Sequence, residues 1–251
     1  MPINSKLAAK DIALAVCFAA LYAVLSFLPL NQLIGLVGKA ITAATIIAPI
    51  IGILLGSYLG VLSTGLGGIV ALFFSPYFSP PSFVAGIVAA LCAGLLYARR
   101  RTLCALIYIS LMFLFGLYPV VGPVWLYPPS MWFQIIGFLI LISPLQSIAI
   151  KHLHSGNNPK FLYAFFITSL TTTLASQIAG SLVFELIYWP AIWPDVDFWR
   201  LFVWQGLTFI YPIERIIVAV IASFIGVALY KVLKSANLLS ILNKSNSSET
   251  A

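Results

Sequence analysis

The stretch Ala40–Phe74 reads AITAATIIAPIIGILLGSYLGVLSTGLGGIVALFF and contains no charged residue. A helix needs about 20 apolar residues to cross a bilayer, within a range of about 17–25. This stretch is therefore too long for one crossing and barely long enough for two. The choice decides the fold, because a second crossing moves every later loop to the opposite side of the membrane. Pro49 and Gly52 predict a bend within it.

The composition of the chain is that of a membrane protein. Of its 251 residues, 62% are hydrophobic and only 8% are charged, far fewer than a soluble domain of this length needs. Each spanning segment must satisfy its own backbone hydrogen bonds in lipid, so long apolar runs predict helices. We expect an all-α polytopic membrane domain over residues 1–234 and a flexible cytoplasmic tail over residues 235–251.

Eight spans are predicted if Ala40–Phe74 crosses twice. They cover residues 8–28, 40–55, 57–74, 83–99, 103–121, 132–152, 161–189 and 205–234. Basic residues then concentrate on one side, namely Lys6, Lys10, Arg99, Arg100, Arg101, Lys151, Lys160, Lys231, Lys234 and Lys244. Lys39 and Arg200 fall on the other side, and Arg215 lies within a span. Because basic residues mark cytoplasmic loops, this pattern predicts both termini in the cytoplasm and a multi-pass protein of the cell membrane.

The predicted outer side is rich in aromatic residues. All six tryptophans lie there, at positions 125, 132, 189, 193, 199 and 204. Two interpretations remain open: a one-sided version of the usual interfacial aromatic belt, or a vestibule of flat rings around a ligand. Trp189 is a candidate ligand contact on the second interpretation.

The seventh predicted span carries a polar face. Ser169, Thr173, Gln177, Ser181 and Glu185 follow one another at four-residue spacing, which places them along one side of a helix. A polar face of this kind is not exposed to lipid. It predicts either hydrogen bonds between helices or a solute-lined cavity that ends in the carboxylate of Glu185.

The eighth predicted span contains Gln205, Thr208, Pro212, Glu214 and Arg215. Arg215 lies about 15 Å along the helix from Gln205, near the expected bilayer centre, where an unpaired charge is costly. Glu214 and Arg215 point about 100° apart on a helix, so they need not pair with each other. Arg215 either ties down carbonyls freed by Pro212 or contacts a ligand or a coupling ion.

Small residues at four-residue spacing mark two close-packing faces. Ala15, Ala19 and Ala23 form one, and Gly52, Gly56 and Gly60 form the other. Such faces pack helices closely, either within the bundle or against a partner.

Three segments together resemble the substrate-binding S component of energy-coupling factor (ECF) vitamin transporters. They are ALAVCFAALYAVLSFLP at residues 13–29, APIIGILLGSYLGVLSTGLGG at residues 48–68 and YPIERIIVAVIASFIGVALY at residues 211–230. The resemblance implies binding of a vitamin or similar micronutrient from outside. It also implies docking through Ala15, Ala19 and Ala23 on a transmembrane T component driven by two cytoplasmic ATPases. Such proteins usually have six spans, so eight would mean an added hairpin.

Motifs for catalysis are missing from the sequence. The segment Gly35–Ala40 lacks the spacing and the Ser or Thr of a phosphate-binding loop, and no nucleophile–base pattern is present. His152 and His154 are expected in a solvated loop, and no metal, cofactor or nucleic-acid partner is expected.

We therefore expect a non-enzymatic substrate-binding subunit with Gln177, Ser181, Glu185, Trp189, Gln205, Glu214 and Arg215 as candidate ligand contacts. The alternative is a self-sufficient secondary transporter coupled to protons through Glu185 or Glu214, and a membrane enzyme or assembly factor is a third, weaker possibility.

The predicted topology can be tested by labelling one cysteine. In a variant without Cys17, Cys92 and Cys104, we expect Arg100→Cys to react with a membrane-impermeant maleimide only after the cells are opened. Labelling of intact cells from outside would contradict the double crossing of Ala40–Phe74.

Overall fold

The computed structural model describes residues 9–117, 122–155, 160–189 and 194–238, of which about 84% are helical. Its helices are α1 (Ala9–Leu25), α2 (Ala44–Phe74), α3 (Pro80–Tyr97), α4 (Arg101–Leu117), α5 (Pro123–Leu126), α6 (Trp132–Ile142), α7 (Pro144–Ser155), α8 (Lys160–Tyr188), α9 (Val196–Phe198) and α10 (Trp204–Ser235). Short 3₁₀ and π segments, Pro128–Met131 and Trp199–Val203, precede α6 and α10. The predicted tail lies almost entirely outside the described residues, as do Lys6, Trp193 and Lys244.

The helices are of the membrane type. Four helical stretches are long and apolar enough to cross a bilayer: Ala44–Phe74, Pro80–Tyr97, Lys160–Tyr188 and Val196–Ser235. A fifth is added if Pro128–Ile142 and Pro144–His154, which meet at an angle of 59°, form one broken span. The expectation of an all-α membrane bundle is therefore met at this level. Helices α1 and α4 have 17 residues each, at the lower limit for a span.

Helix α2 turns back on itself at Gly56. This residue has φ 79° and ψ 177°, a conformation that essentially only glycine adopts. A Cβ built on Gly60 would lie 3.1 Å from Cα of Gly52. Residues eight apart in a straight helix are about 12 Å apart. The chain therefore forms two legs, residues 44–55 and 57–74, in agreement with the predicted division between residues 55 and 57.

Contacts with α1 give the direction of the second leg. The Ser63 hydroxyl donates to the carbonyl of Ala15 (2.7 Å), and that of Ser75 donates to the carbonyl of Ser26 (2.7 Å). Both residue pairs advance together along the chain, so α1 and the second leg run parallel. The first leg connects their two opposite ends and therefore runs the other way.

The bundle has two chemically distinct ends. We call the end that holds Trp189, Trp199 and Trp204 the tryptophan end, and the end that holds Arg99–Arg101 the arginine end. The turn at Gly56 belongs to the arginine end, because a Cβ on Gly94 would meet the backbone of Gly56 and Ser57. Lys10 Nζ reaches the carbonyl of Asn237 (3.4 Å), so the first described helix begins and the last one ends at this same end.

A small β-hairpin closes the tryptophan end. Strands β1 (Pro29–Gln32) and β2 (Ala40–Thr42) pair antiparallel, and Gly35 and Gly38 supply positive φ angles in the loop between them. Lys39 Nζ donates to the carbonyls of Pro76 (3.0 Å) and Phe78 (2.9 Å), which ties the hairpin to the loop after α2. The all-α expectation missed this hairpin, because its strands are too short to show a periodic pattern.

The sixth predicted span, residues 132–152, is not one straight helix. It breaks between α6 and α7 at Ser143 and Pro144, where proline cannot donate a backbone hydrogen bond. The freed carbonyls find other donors: the Ser143 hydroxyl bonds that of Ile140 (2.8 Å), and Arg101 Nε bonds that of Leu141 (2.7 Å). Arg101 thus has a structural partner in addition to its place in the basic cluster.

The alanine face of α1 packs inside the protein. Ala19 and Ala23 are buried and Ala15 is half-buried, and a Cβ on Gly67 would meet the carbonyl oxygen of Ala19. Of the two interpretations of this stripe, packing within the bundle is the one observed. The exposed face of α1 carries other residues, among them Val16 and Val24.

The turn at Gly56 makes a stability prediction. Gly56→Ala forces a side chain into a glycine-only conformation, at a cost of about 1–3 kcal/mol. We expect a lower unfolding temperature of the detergent-solubilised protein. Gly65→Ala is the matched control, because a Cβ at this helical position meets nothing within 4 Å. Equal unfolding temperatures for the two variants would contradict the reversal at Gly56.

Candidate functional site

A cavity lies beneath the β-hairpin, between α1, α2, α3, α8 and α10. It encloses about 770 Å³, including its open mouth. Apolar and aromatic side chains supply most of its wall, including Tyr22, Ile34, Phe78, Phe184 and Leu207.

Helix α8 contributes the polar side of the cavity. Gln177, Ser181 and Glu185 lie on the wall at four-residue spacing, as predicted from the sequence. Ser169 and Thr173 continue this face toward the arginine end but do not line the cavity; Thr173 donates its hydroxyl to the carbonyl of Leu170 (3.0 Å). The stripe therefore splits into a cavity part and a packed part.

Glu185 lies at the tryptophan end of the cavity, with only 1% of its surface exposed. Trp204 Nε1 donates to Oε1 of Glu185 (3.0 Å), while Oε2 has no hydrogen-bond partner among the described residues. Trp189 stacks on Trp199 at 4.9 Å and lies 5.5 Å from the Trp204 ring. These three indoles form a buried cluster behind Glu185, so Trp189 does not line the cavity and Trp204 is the tryptophan that touches the carboxylate.

Arg215 and Glu214 form a buried ion pair. Arg215 Nη2 lies 3.2 Å from Glu214 Oε1, and the side chains are 6% and 11% exposed. The sequence left this pairing open; the two side chains pair because they are long enough to close the angle between their helix positions. Glu214 Oε2 also accepts from Asn31 Nδ2 of the β-hairpin (3.0 Å), and the Arg215 guanidinium lies 5.7 Å from the Tyr211 ring centre.

The carbonyl that Pro212 leaves free is satisfied by a tryptophan. Proline at position 212 cannot donate to Thr208, and Trp132 Nε1 donates to the Thr208 carbonyl instead (2.9 Å). Arg215 was one predicted donor to the carbonyls freed by Pro212. In the structure Trp132 is the donor, and Arg215 lies on the cavity wall.

Four of the seven predicted ligand contacts line one cavity: Gln177, Ser181, Glu185 and Arg215. Glu214 lies behind Arg215, Trp189 lies in the indole cluster, and Gln205 is exposed on the outside of α10. Sequence reasoning missed the contribution of the hairpin, which places Leu33, Ile34 and Ile41 on the wall. The sequence feature from which this hairpin could have been predicted is the pair of loop glycines, Gly35 and Gly38.

Several buried polar atoms of the cavity have no hydrogen-bond partner among the described residues. They are both amide atoms of Gln177, Oε2 of Glu185 and Nε of Arg215. Buried polar groups are paired in the great majority of cases, because an unpaired one costs about 1–3 kcal/mol. Donors and acceptors of this kind in one cavity are what a polar solute or ordered water would satisfy.

The two histidines, His152 and His154, do not line the cavity. His152 and His154 belong to α7 and not to a loop, so that expectation was wrong. The ring of His154 stacks on Tyr97 at 4.8 Å, and its Nδ1 lies 2.8 Å from the carbonyl of Ile150. Within the described ranges, no group of three or more His, Cys, Asp or Glu residues is arranged to hold a metal ion.

Comparison of the chain with models of known protein families, with curated proteins and with solved structures finds no match.

The buried ion pair makes a second stability prediction. Glu214→Gln leaves the Arg215 charge buried without its partner, and removing one member of such a pair costs about 3–5 kcal/mol. We expect a marked fall in the unfolding temperature of the detergent-solubilised protein. The double variant Glu214→Gln, Arg215→Gln should lose less than the sum of the two single variants. Strictly additive losses would contradict a direct pair.

Proposed function

We propose that this protein is the membrane-embedded substrate-binding subunit of an uptake transporter for a vitamin or similar small solute, of the energy-coupling factor type. The observation that carries the proposal is the cavity with unpaired polar atoms on Gln177, Glu185 and Arg215. A mostly apolar cleft with a few converging polar groups is typical of small-molecule sites. The resemblance of residues 13–29, 48–68 and 211–230 to S components supports the transporter type.

The proposed arrangement has eight crossings with both termini in the cytoplasm. The antiparallel legs of α2 and the shared end of Lys10 and Asn237 support it. In this arrangement the arginine end faces the cytoplasm, in accord with the positive-inside rule. The cavity then opens on the outer side of the cell membrane, beneath the β-hairpin, where an uptake system meets its solute.

Energy for uptake would come from partners, a transmembrane T component and cytoplasmic ATPase subunits. Ala15, Ala19 and Ala23 were the predicted docking face for the T component. These alanines already pack against the second leg of α2. Docking through them would first require α2 to move away, so we propose that the T component meets another surface of the chain in the state described here.

A proton-coupled secondary transporter is the alternative function, and one observation favours it. Glu185 is buried, and in the described part of the chain the two ion pairs, Arg200–Asp197 and Arg215–Glu214, both leave it without a cation. Burying an ionised carboxylate without a positive partner is costly. A proton taken up together with the solute would remove that cost.

Both functions can be tested on the purified protein. We expect solvent extraction of the detergent-purified chain to release a small molecule that mass spectrometry identifies. Glu185→Gln should reduce its yield at least tenfold, because this substitution changes the charge on the cavity wall. Gln205→Ala is the control, since Gln205 is exposed outside the cavity.

Liposomes separate the two functions. The chain alone should bind the released molecule without accumulating it, and accumulation should require the coupling and ATPase subunits. Accumulation by the chain alone under a proton gradient would establish the alternative function. A protein that retains and binds no small molecule in either assay would refute both.

A further inference from the structure

The charge balance of the cavity bears on what it can bind. Arg215 is the one cation among the described residues that line it, and it is already paired with Glu214, which accepts a hydrogen bond from Asn31. Lys39 is half-buried, donates to the backbone carbonyls of Pro76 and Phe78, and does not line the cavity. Glu185 adds a further acidic group on the wall. Among the described residues, the cavity therefore offers no uncompensated positive charge to an anion, and a buried anion without one would be strongly disfavoured.

The depth of the polar groups follows from helix geometry. Glu185 and Trp204 are joined by a side-chain hydrogen bond, so they lie at about the same height along the axis of the bundle. Gln177 lies eight residues before Glu185 and Arg215 eleven residues after Trp204, which is about 12 Å and about 16 Å deeper at about 1.5 Å per residue. Because α8 runs toward the tryptophan end and α10 runs away from it, Gln177 and Arg215 lie at similar depth.

The unpaired atoms at that depth form a recognisable set. Gln177 offers an amide donor, Nε2, and an amide acceptor, Oε1, and Arg215 offers a further donor, Nε. A side-chain amide binds in a bidentate way to an edge on which a donor and an acceptor are neighbours, as glutamine does with a nucleobase. Two ring edges fit the amide: an amine beside a ring nitrogen, as in adenine, and a ring carbonyl beside a ring N–H. A second ring carbonyl on the latter edge would also offer an acceptor to the Arg215 donor.

The lining of the cavity agrees with a flat ring. Tyr22, Phe78, Phe184 and Tyr211 supply aromatic surface on its wall. Stacking between aromatic rings favours a planar ligand over a branched one of equal volume.

We propose that the solute is a flat heterocycle without negative charge and with a cyclic amide edge, a ring carbonyl beside a ring N–H, that binds between Gln177 and Arg215. This inference rests on the proposed solute-binding function and narrows it to a ligand class. It excludes solutes whose ring carries a carboxylate or phosphate at the end that enters the cavity.

The test uses two sets of matched probes with the full-length, detergent-purified protein. One set is uracil, 1,3-dimethyluracil and uracil-6-carboxylate; the other is lumazine, 1,3-dimethyllumazine and lumazine-6-carboxylate. Isothermal titration calorimetry at slightly acidic pH measures each Kd. We expect at least one parent ring to bind, with affinity at least tenfold weaker for the N-methylated ring, which lacks the N–H, and for the carboxylate.

Two variants connect binding to the proposed residues. Gln177→Leu should weaken binding of the parent ring at least tenfold, because it removes both amide atoms. Gln134→Leu is the matched control, a buried glutamine that also has an unpaired amide oxygen but does not line the cavity. It should leave the Kd within about twofold. If Gln177→Leu does not fold, Gln177→Glu replaces it, since this near-isosteric change removes only the donor and should still weaken binding.

Several results would overturn the ligand class. They are equal or tighter binding of a carboxylate probe, equal binding of an N-methylated probe, an unchanged Kd in the folded Gln177 variant, or no binding of any ring in either set. Solute binding itself is judged separately, by the small molecule that the purified protein releases. An anionic molecule released from the wild type would refute the cyclic amide class and leave the transport function standing.

Discussion

Close backbone approach around Gly56 is the constraint on which the rest of the bundle depends. Gly52, Gly60 and Gly94 surround the turn, and a Cβ on any of them would meet backbone atoms of a neighbouring segment at 3.1 Å or less. The two legs of α2 can therefore lie side by side with α3 packed against them. Without this turn, Ala40–Phe74 would be one long helix, and the hairpin loop and the loop after α2 would not meet at the tryptophan end.

The cavity lies where five helices meet the β-hairpin. Helices α1, α2, α3, α8 and α10 surround it, and Tyr22, Phe78, Phe184 and Tyr211 supply its aromatic surface. The ion pair of Arg215 with Glu214 and the hydrogen bond from Trp204 to Glu185 reduce the free-energy cost of burying these two side chains. The atoms that these partners leave without a hydrogen bond, Glu185 Oε2 and Arg215 Nε, belong to residues of the cavity wall. The bonds that stabilise the two side chains therefore also determine which of their atoms can bind a ligand.

Sequence reasoning succeeded where a pattern was long or repeated. The four-residue spacing of Gln177, Ser181 and Glu185 predicted their common side of α8, and the length of Ala40–Phe74 predicted two legs. It failed where tertiary partners decide the outcome. Nothing in the spacing shows that Trp132 takes the carbonyl freed by Pro212 or that Trp204 bonds Glu185. The turn at Gly56 falls where the predicted spans 40–55 and 57–74 divide, because only this point leaves both legs long enough.

The bond between the Trp204 indole and Glu185 gives the protein an intrinsic optical reporter. Indole emission responds to hydrogen bonding at Nε1 and to the polarity around the ring, and Trp204 is fully buried behind the cavity wall. Trp189 and Trp199 lie within energy-transfer distance of it, so the cluster emits as a coupled group. Any event that draws Glu185 away from Trp204 will therefore register as a spectral shift in the unlabelled protein, in detergent or in lipid.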